Sequence, residues 1–205
     1  MSKITDYEYI AIEGNIGVGK TSLATKIAAD YNGQLVLEEF AENPFLPKFY
    51  ENRERYAFPL ELSFLSERFA QLKSVLATKD LFKEIVVADY FIHKCLIFSK
   101  ANLQGDEYDL FSKMYSIIEQ SLPKPDLLIY LHVDTGQLLQ NIKKRGRDYE
   151  QNIKAEYLEE VKESYFSFIK QHRNLNILTI DVTGLDFVNS VSDYQKIIAI
   201  IEDFS

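Results

Sequence analysis

Eight consecutive residues, Gly14-Asn15-Ile16-Gly17-Val18-Gly19-Lys20-Thr21, set a glycine, four residues and then Gly-Lys-Thr in a row. Glycines at this spacing let backbone N–H groups turn inward around phosphate oxygens. A helix opening at the end of the loop points its positive dipole end at the same anion. Lys20 can reach the β- and γ-phosphates of a nucleoside triphosphate, and the Thr21 hydroxyl is a hard oxygen that can hold Mg²⁺. The chemistry expected here is binding of a nucleoside triphosphate with Mg²⁺. The bland alternative is a glycine-rich turn. An apolar run at 7–12 precedes the octapeptide and a helical pattern at 22–29 follows it, which is the context a phosphate loop needs.

Further reactive side chains are spread along the chain. Glu38 and Glu39 close an apolar run, and Asp89 closes another. Carboxylates at such ends can take a proton or hold a hard cation. Lys143, Lys144, Arg145 and Arg147 form a basic cluster interrupted by Gly146. Guanidinium groups bind phosphoryl oxygens bidentately and offset charge on a transferring group. A solvated basic helix end is the alternative reading. Glu61 and Arg68 lie seven residues apart on a helical pattern and share a face.

The elements that must position these groups alternate. Strand-like runs fall at 7–13, 34–38, 84–89, 127–133 and 176–181. Helical patterns fall near 19–30, 56–78, 92–122, 135–144, 155–171 and 193–203, with the 92–122 stretch broken around Gly105. This alternation predicts an α/β fold with a parallel sheet covered by helices on both faces. Ligands in such sheets sit at the carboxyl ends of the strands, where the phosphate loop, Glu38 and Asp89 all fall.

Composition narrows the class. With 205 residues, 46% of them hydrophobic, the chain has enough apolar mass for a single domain over 1–205. A net charge of −8 argues against a nucleic-acid polymer as partner but leaves room for one nucleotide in a local basic site. The lone Cys95 cannot form an internal disulfide, residues 1–7 lack the apolar core of a signal peptide, and no apolar run reaches the length of a membrane span. A cytoplasmic location without membrane contact is expected.

Four segments together carry a resemblance over about 9–187. They are the phosphate loop; Glu38-Glu39-Phe40-Ala41 with Tyr50 behind it; the helical stretch 54–72; and Lys144-Arg145-Gly146-Arg147-Asp148-Tyr149-Glu150-Gln151. In this order and spacing the chain resembles the deoxynucleoside kinases of the deoxycytidine and deoxyguanosine kinase type, which include bacterial deoxyadenosine kinases. The resemblance implies a five-stranded parallel P-loop kinase sheet with a basic lid at about 141–154, usually in a homodimer. It implies ATP-dependent phosphorylation of the 5′-hydroxyl of a deoxynucleoside, a purine one by its likeness to the bacterial members.

Roles carry over residue by residue. The resemblance implies that Glu38 is the general base, with Glu39 adjacent and able to exchange places with it. Tyr50 and Glu150 match the pair that holds the sugar 3′-hydroxyl, Arg145 and Arg147 match the lid, and Asp89 with Thr21 matches the metal site. Gly14 to Thr21 and Arg145 would hold ATP. Glu61 and Arg68 match the base-reading face. Related chains usually carry Gln at the position of Glu61. An ionised Glu only accepts hydrogen bonds, which suits the N1–H and 2-amino edge of guanine, unless Arg68 neutralises it. One or two of Phe45, Phe58, Phe64 and Phe91 should stack on the base. The adenine of ATP is expected near 181–187, a stretch that reads equally well as an ordinary turn.

Two departures stand out. The acid-Arg-Ser tripeptide of the family is Asp89-Tyr90-Phe91 here, and Asn141 stands where related chains often have an arginine. Lys94, Lys143 or Lys144 is left to supply the charge, imperfectly, because lysine is a point charge and not a fork. A nucleoside monophosphate kinase of the thymidylate type and a degenerate nucleotide-binding protein remain the alternatives. Gly146 between two arginines suggests a flexible closing segment rather than a plain helix end.

Overall fold

The computed structural model describes residues 3–38, 43–77, 80 and 82–204. Five parallel strands form one sheet: β1 (Tyr9–Gly14), β2 (Gln34–Val36), β3 (Val86–Ala88), β4 (Leu127–His132) and β5 (Ile177–Asp181), in the spatial order β2-β3-β1-β4-β5. Around it lie α1 (Lys20–Asp30), α2 (Leu46–Glu51), α3 (Arg53–Ala77), α4 (Lys94–Asn102), α5 (Gly105–Glu119), α6 (Thr135–Arg145), α7 (Ala155–Gln171) and α8 (Val191–Asp203). Every residue of β1 is buried, as expected of a central parallel strand with helices on both faces. Its side chains alternate between two cores. Tyr9 and Ala11 join the layer built from α2, α3, α4 and α5, while Ile10 and Ile12 join the layer of α1, α6 and α8. Among the described residues, no helix is long and apolar enough to cross a membrane.

The strand order creates the site. β1 is flanked by β3 on one side and β4 on the other; after β1 the chain turns toward β2, and after β4 it turns the other way toward β5, so the connections of these two neighbours diverge at their carboxyl ends. That switch point leaves a crevice beside the phosphate loop. Pairing of Ala11 with Ala88 brings the residue after β3, Asp89, next to the loop.

The expected elements all form, with shifted bounds. β2 and β3 stop at Val36 and Ala88, earlier than read from sequence. The ladder ends because the Asp89 carboxylate takes over: its Oδ1 accepts from the Glu38 N–H at 2.7 Å. Helix α3 starts at Arg53 instead of 56, where Asn52 Oδ1 accepts from Arg55 N–H at 3.2 Å in the manner of an N-cap. The short helix α2 was not anticipated; its six residues are too few to show a period, although Pro47 in its first turn is a start signal. The stretch 92–122 does break at Gly105, whose φ of 53° opens α5.

Candidate active site

One cavity at the carboxyl edge of the sheet is lined by Lys20, Thr21, Glu38, Tyr50, Glu61, Arg68, Asp89, Arg145, Arg147 and Glu150. The sequence candidates therefore converge, although they come from the phosphate loop, three strand ends or helices on one side, and the segment after α6. Glu39, Phe40 and Ala41 lie outside the described residues.

The phosphate loop links β1 to α1. Gly19 has φ of 102°, and a Cβ there would meet the Phe187 ring at 2.6 Å, so glycine is required by conformation and by space. Gly17 has φ of 85° and is pressed against Ile142 of α6. The Asn15 side chain is spent on the fold, donating to Leu158 O at 2.7 Å and accepting from Ile16 N–H at 2.8 Å. Val18 is packed in the core. Gly14, Asn15, Ile16, Gly17, Val18 and Gly19 could thus meet a phosphate through backbone only. Lys20 folds back onto the loop and donates to the carbonyls of Gly14 at 2.9 Å and Asn15 at 3.0 Å. Burial and the neighbouring Lys94 push its ammonium down to about 8, against the pull of Glu13, Glu38 and Asp89.

Beside Lys20 sits a polar junction. Thr21 Oγ1 donates to Asp89 Oδ2 at 2.5 Å. Glu38 Oε1 accepts from Arg68 Nε at 2.7 Å, and Glu38 Oε2 from Lys94 Nζ at 2.5 Å. Burial pushes the Glu38 carboxyl up, but the charges of Arg68, Lys94 and Lys20 prevail and hold it down to about 2. Of the three lysines offered in place of the missing arginine, Lys94 is the one in the site. Tyr90 is buried away from the cavity and donates to Gln71 Oε1 at 2.5 Å.

The oxygens of Thr21 and Asp89 are hard donors in contact at the cavity wall, which fits Mg²⁺. Among the described residues no cluster of three or more His, Cys, Asp or Glu side chains forms a metal cage. A cation here would therefore rely on phosphate oxygens and water for its remaining ligands, as Mg²⁺ does in phosphoryl-transfer sites.

The basic segment follows α6. Arg145 and Arg147 both pair with Glu150, which is 5% exposed. Tyr50 is half-buried and stacks on Tyr149 with centroids 6.2 Å apart, and its hydroxyl is held neutral by desolvation first, then by Tyr157 and Glu150. Gly146 is in the left-handed region at φ 73° and caps α6, its N–H bonding Ile142 O. The glycine is thus explained by a helix end, contrary to the expectation that it argues against one. Asn141 does not face solvent as a lost cation; its Nδ2 donates to Gly17 O at 2.9 Å and ties α6 to the phosphate loop.

At the far end of the cavity, α3 presents Glu61, Phe64 and Arg68 on one buried face. Glu61 and Arg68 share that face but are not partners. Arg68 turns to Glu38 and to Cys95 Sγ at 3.1 Å, while Glu61 Oε1 accepts from Asn102 Nδ2 at 2.5 Å. Burial raises the Glu61 carboxyl to about 7, against the Asn102 hydrogen bond and the charges of Arg68 and Lys94. Of the four phenylalanines considered for the base, Phe64 lines the cavity, with the Arg68 guanidinium 4.5 Å from its centroid. Phe91 is buried against His93, and Phe45 and Phe58 pack on the core. Near 181–187, Asp181 Oδ1 accepts from Thr183 N–H at 2.9 Å, as in an ordinary turn, and Phe187 packs on Gly19.

Sequence reasoning missed Asn102, Phe98 and Tyr157, which also line the cavity. A signal for two of them existed: Lys94, Phe98 and Asn102 recur at every fourth residue of α4.

This geometry agrees with three kinds of similarity. Residues 10–205 match the family model described as deoxynucleoside kinase. The chain is 38% identical over 202 residues to a deoxyguanosine kinase of Bacillus subtilis (strain 168), covering 95% of this chain and 96% of that one. It is 28% identical to a deoxyadenosine/deoxycytidine kinase of the same organism, covering 92% and 89%. Among solved structures, a deoxyadenosine kinase from M. mycoides with the products dCMP and a flexible dCDP bound superposes with a TM-score of 0.81 at 27% identity, covering 94% of this chain and 98% of that one. The sheet, its helices and the phosphate loop are those of the P-loop kinase fold, and the chain belongs to the deoxynucleoside kinase family.

Proposed function

We propose that this enzyme transfers the γ-phosphoryl group of ATP to the 5′-hydroxyl of a purine deoxynucleoside, deoxyguanosine or deoxyadenosine, giving the monophosphate for nucleotide salvage. The observation that carries the reading is the position of Glu38. It stands between Lys20 of the phosphate loop and the α3 face bearing Glu61 and Arg68, in one continuous cavity. A hydroxyl held by Glu38 would have phosphate on one side and its own base on the other.

Each residue then has a role. Lys20 exchanges the Gly14 and Asn15 carbonyls for the β- and γ-phosphates, and Arg145 and Arg147 turn from Glu150 to phosphoryl oxygens as the 141–154 lid closes. Tyr50 and Glu150 take the 3′-hydroxyl. Glu38 is ionised at neutral pH but, at about 2, is a weak base. It orients the 5′-hydroxyl first and accepts the proton late, which a loose transition state permits. Lys94 strengthens that base when it shifts from Glu38 toward the arriving phosphoryl group, since losing a cationic partner raises a carboxyl. Thr21 and Asp89 would hold Mg²⁺, which would neutralise charge on the phosphate oxygens. We further propose a single kinase domain in the cytoplasm, paired as a homodimer through the exposed stripe Leu110, Met114 and Ile117 of α5.

The test is to supply Mg-ATP with deoxyadenosine, deoxyguanosine, deoxycytidine, thymidine or thymidine monophosphate, each alone, and to quantify the phosphorylated product. A purine deoxynucleoside monophosphate is expected to dominate. Thymidine diphosphate as the main product would replace this reading with a monophosphate kinase, and bound ATP with no product would replace it with a nucleotide-binding protein.

A further inference from the structure

The inner end of the cavity holds two polar atoms that the chain leaves unsatisfied. Glu61 Oε2 and Asn102 Oδ1 are buried and have no hydrogen-bond partner, and both residues line the cavity. Their remaining polar atoms explain why. Asn102 Nδ2 donates to Glu61 Oε1 at 2.5 Å, so the amide spends its donor side on the carboxylate and presents its oxygen. Arg68, the cation on the same face of α3, is turned to Glu38 and Cys95 and does not answer either atom. Oε2 is an acceptor in the ionised form of Glu61, a form that burial disfavours in the empty site and that a ligand bringing donors favours. Buried acceptors without donors are costly, and such a ligand recovers the cost.

We propose that Asn102 is a specificity-determining residue that acts with Glu61 to select guanine, the two free acceptors receiving the ring N1–H and the 2-amino group. The proposal rests on the deoxynucleoside kinase reading above and names the base within it. Among the bases of DNA, guanine alone offers two adjacent donors on its pairing edge. Adenine sets a bare N1 beside its amino group, cytosine a bare N3 beside its amino group, and thymine a single N3–H between two carbonyls. Each of these would place at least one acceptor against an acceptor of the site. Rejection by an unmatched buried polar group is much stronger than rejection by a missing methylene. Asn102 also keeps Glu61 in place, because its amide is the donor to Oε1.

The experiment compares kcat/KM for deoxyguanosine, 2′-deoxyinosine and deoxyadenosine in the wild-type enzyme and in Asn102→Ala. Deoxyinosine differs from deoxyguanosine only by loss of the 2-amino group. The wild type should favour deoxyguanosine over deoxyinosine by about tenfold or more, and over deoxyadenosine by about a hundredfold or more. In Asn102→Ala the ratio of deoxyguanosine to deoxyinosine should collapse toward one, chiefly through KM. Should that variant not fold, Asn102→Leu, which keeps the volume and removes both polar atoms, is read in the same way; a ratio unchanged from wild type in either folded variant would remove Asn102 from base selection. Equal use of deoxyguanosine and deoxyinosine, or a preference for deoxyadenosine, would overturn the inference and leave the kinase reading standing. Absence of product from all three, with ATP bound, would overturn both.

Discussion

At the phosphate end of the cavity, the cations already have partners inside the chain: Lys20 on two loop carbonyls, Lys94 and Arg68 on Glu38, Arg145 and Arg147 on Glu150. At the base end, the acceptors Glu61 Oε2 and Asn102 Oδ1 have none. A phosphate must therefore bind by exchange, and its affinity is the difference between ion pairs made and ion pairs broken. A base binds by completion and keeps the full value of each bond it supplies. The contrast teaches that substitutions at the first end should alter rate and closure, while substitutions at the second should alter choice.

The largest effect is expected at Glu38, which stands between the two ends. Glu38→Gln keeps shape and some hydrogen bonding but removes the charge, and kcat should fall by roughly 10²–10⁴-fold. Calorimetric titration should find ATP affinity retained within a few-fold; undiminished turnover would remove Glu38 from the mechanism. Next comes Arg145→Met, for which kcat should fall by about 10²–10³-fold with little change in the preferred base. A change of base preference in that variant would break the division between the ends.

A third prediction concerns pH. The Glu61 carboxyl is raised by burial from an ordinary 4.5 to about 7. The folded state holds its proton more tightly, so the stabilising contribution is complete below pH 4.5 and is lost as pH rises to about 7. Glu61→Gln should flatten the fall in melting temperature between pH 5 and pH 7.5, by roughly the few degrees that one or two kcal/mol represent. An unchanged slope would show that Glu61 is not held in this way. The smallest effect is expected at Asn141→Ala, which removes one bond to Gly17 O. The expected loss of about 1 kcal/mol corresponds to a several-fold weaker ATP affinity, with kcat and base preference unaltered.

The same contrast explains what could be read in the sequence. The phosphate end is a contiguous octapeptide whose function lies in its backbone, so spacing alone reveals it. The five strands were legible for a similar reason: each is a short apolar run between breakers. The base end joins α3, α4 and α7 through Glu61, Asn102 and Tyr157, and no local pattern links them. Glu61 and Arg68 could be placed on one face, but their separate partners could not be foreseen. Helical spacing joined them, whereas tertiary packing parted them. Lys94 was one of three interchangeable lysines in the sequence, and only the fold sets it on Glu38. At Gly146 a glycine between arginines pointed away from a plain helix end, whereas α6 does end there and needs a left-handed residue to do so.

The most direct test of phosphoryl transfer to a deoxynucleoside is a mass balance. The wild-type enzyme would be mixed with Mg-ATP and deoxyguanosine, quenched over time, and ADP and deoxyguanosine 5′-monophosphate measured in the same samples. One molecule of the 5′-monophosphate for each ADP, with negligible ADP when deoxyguanosine is omitted, is the predicted result. ADP formed at the same rate without an acceptor, or with no monophosphate beside it, would contradict the account.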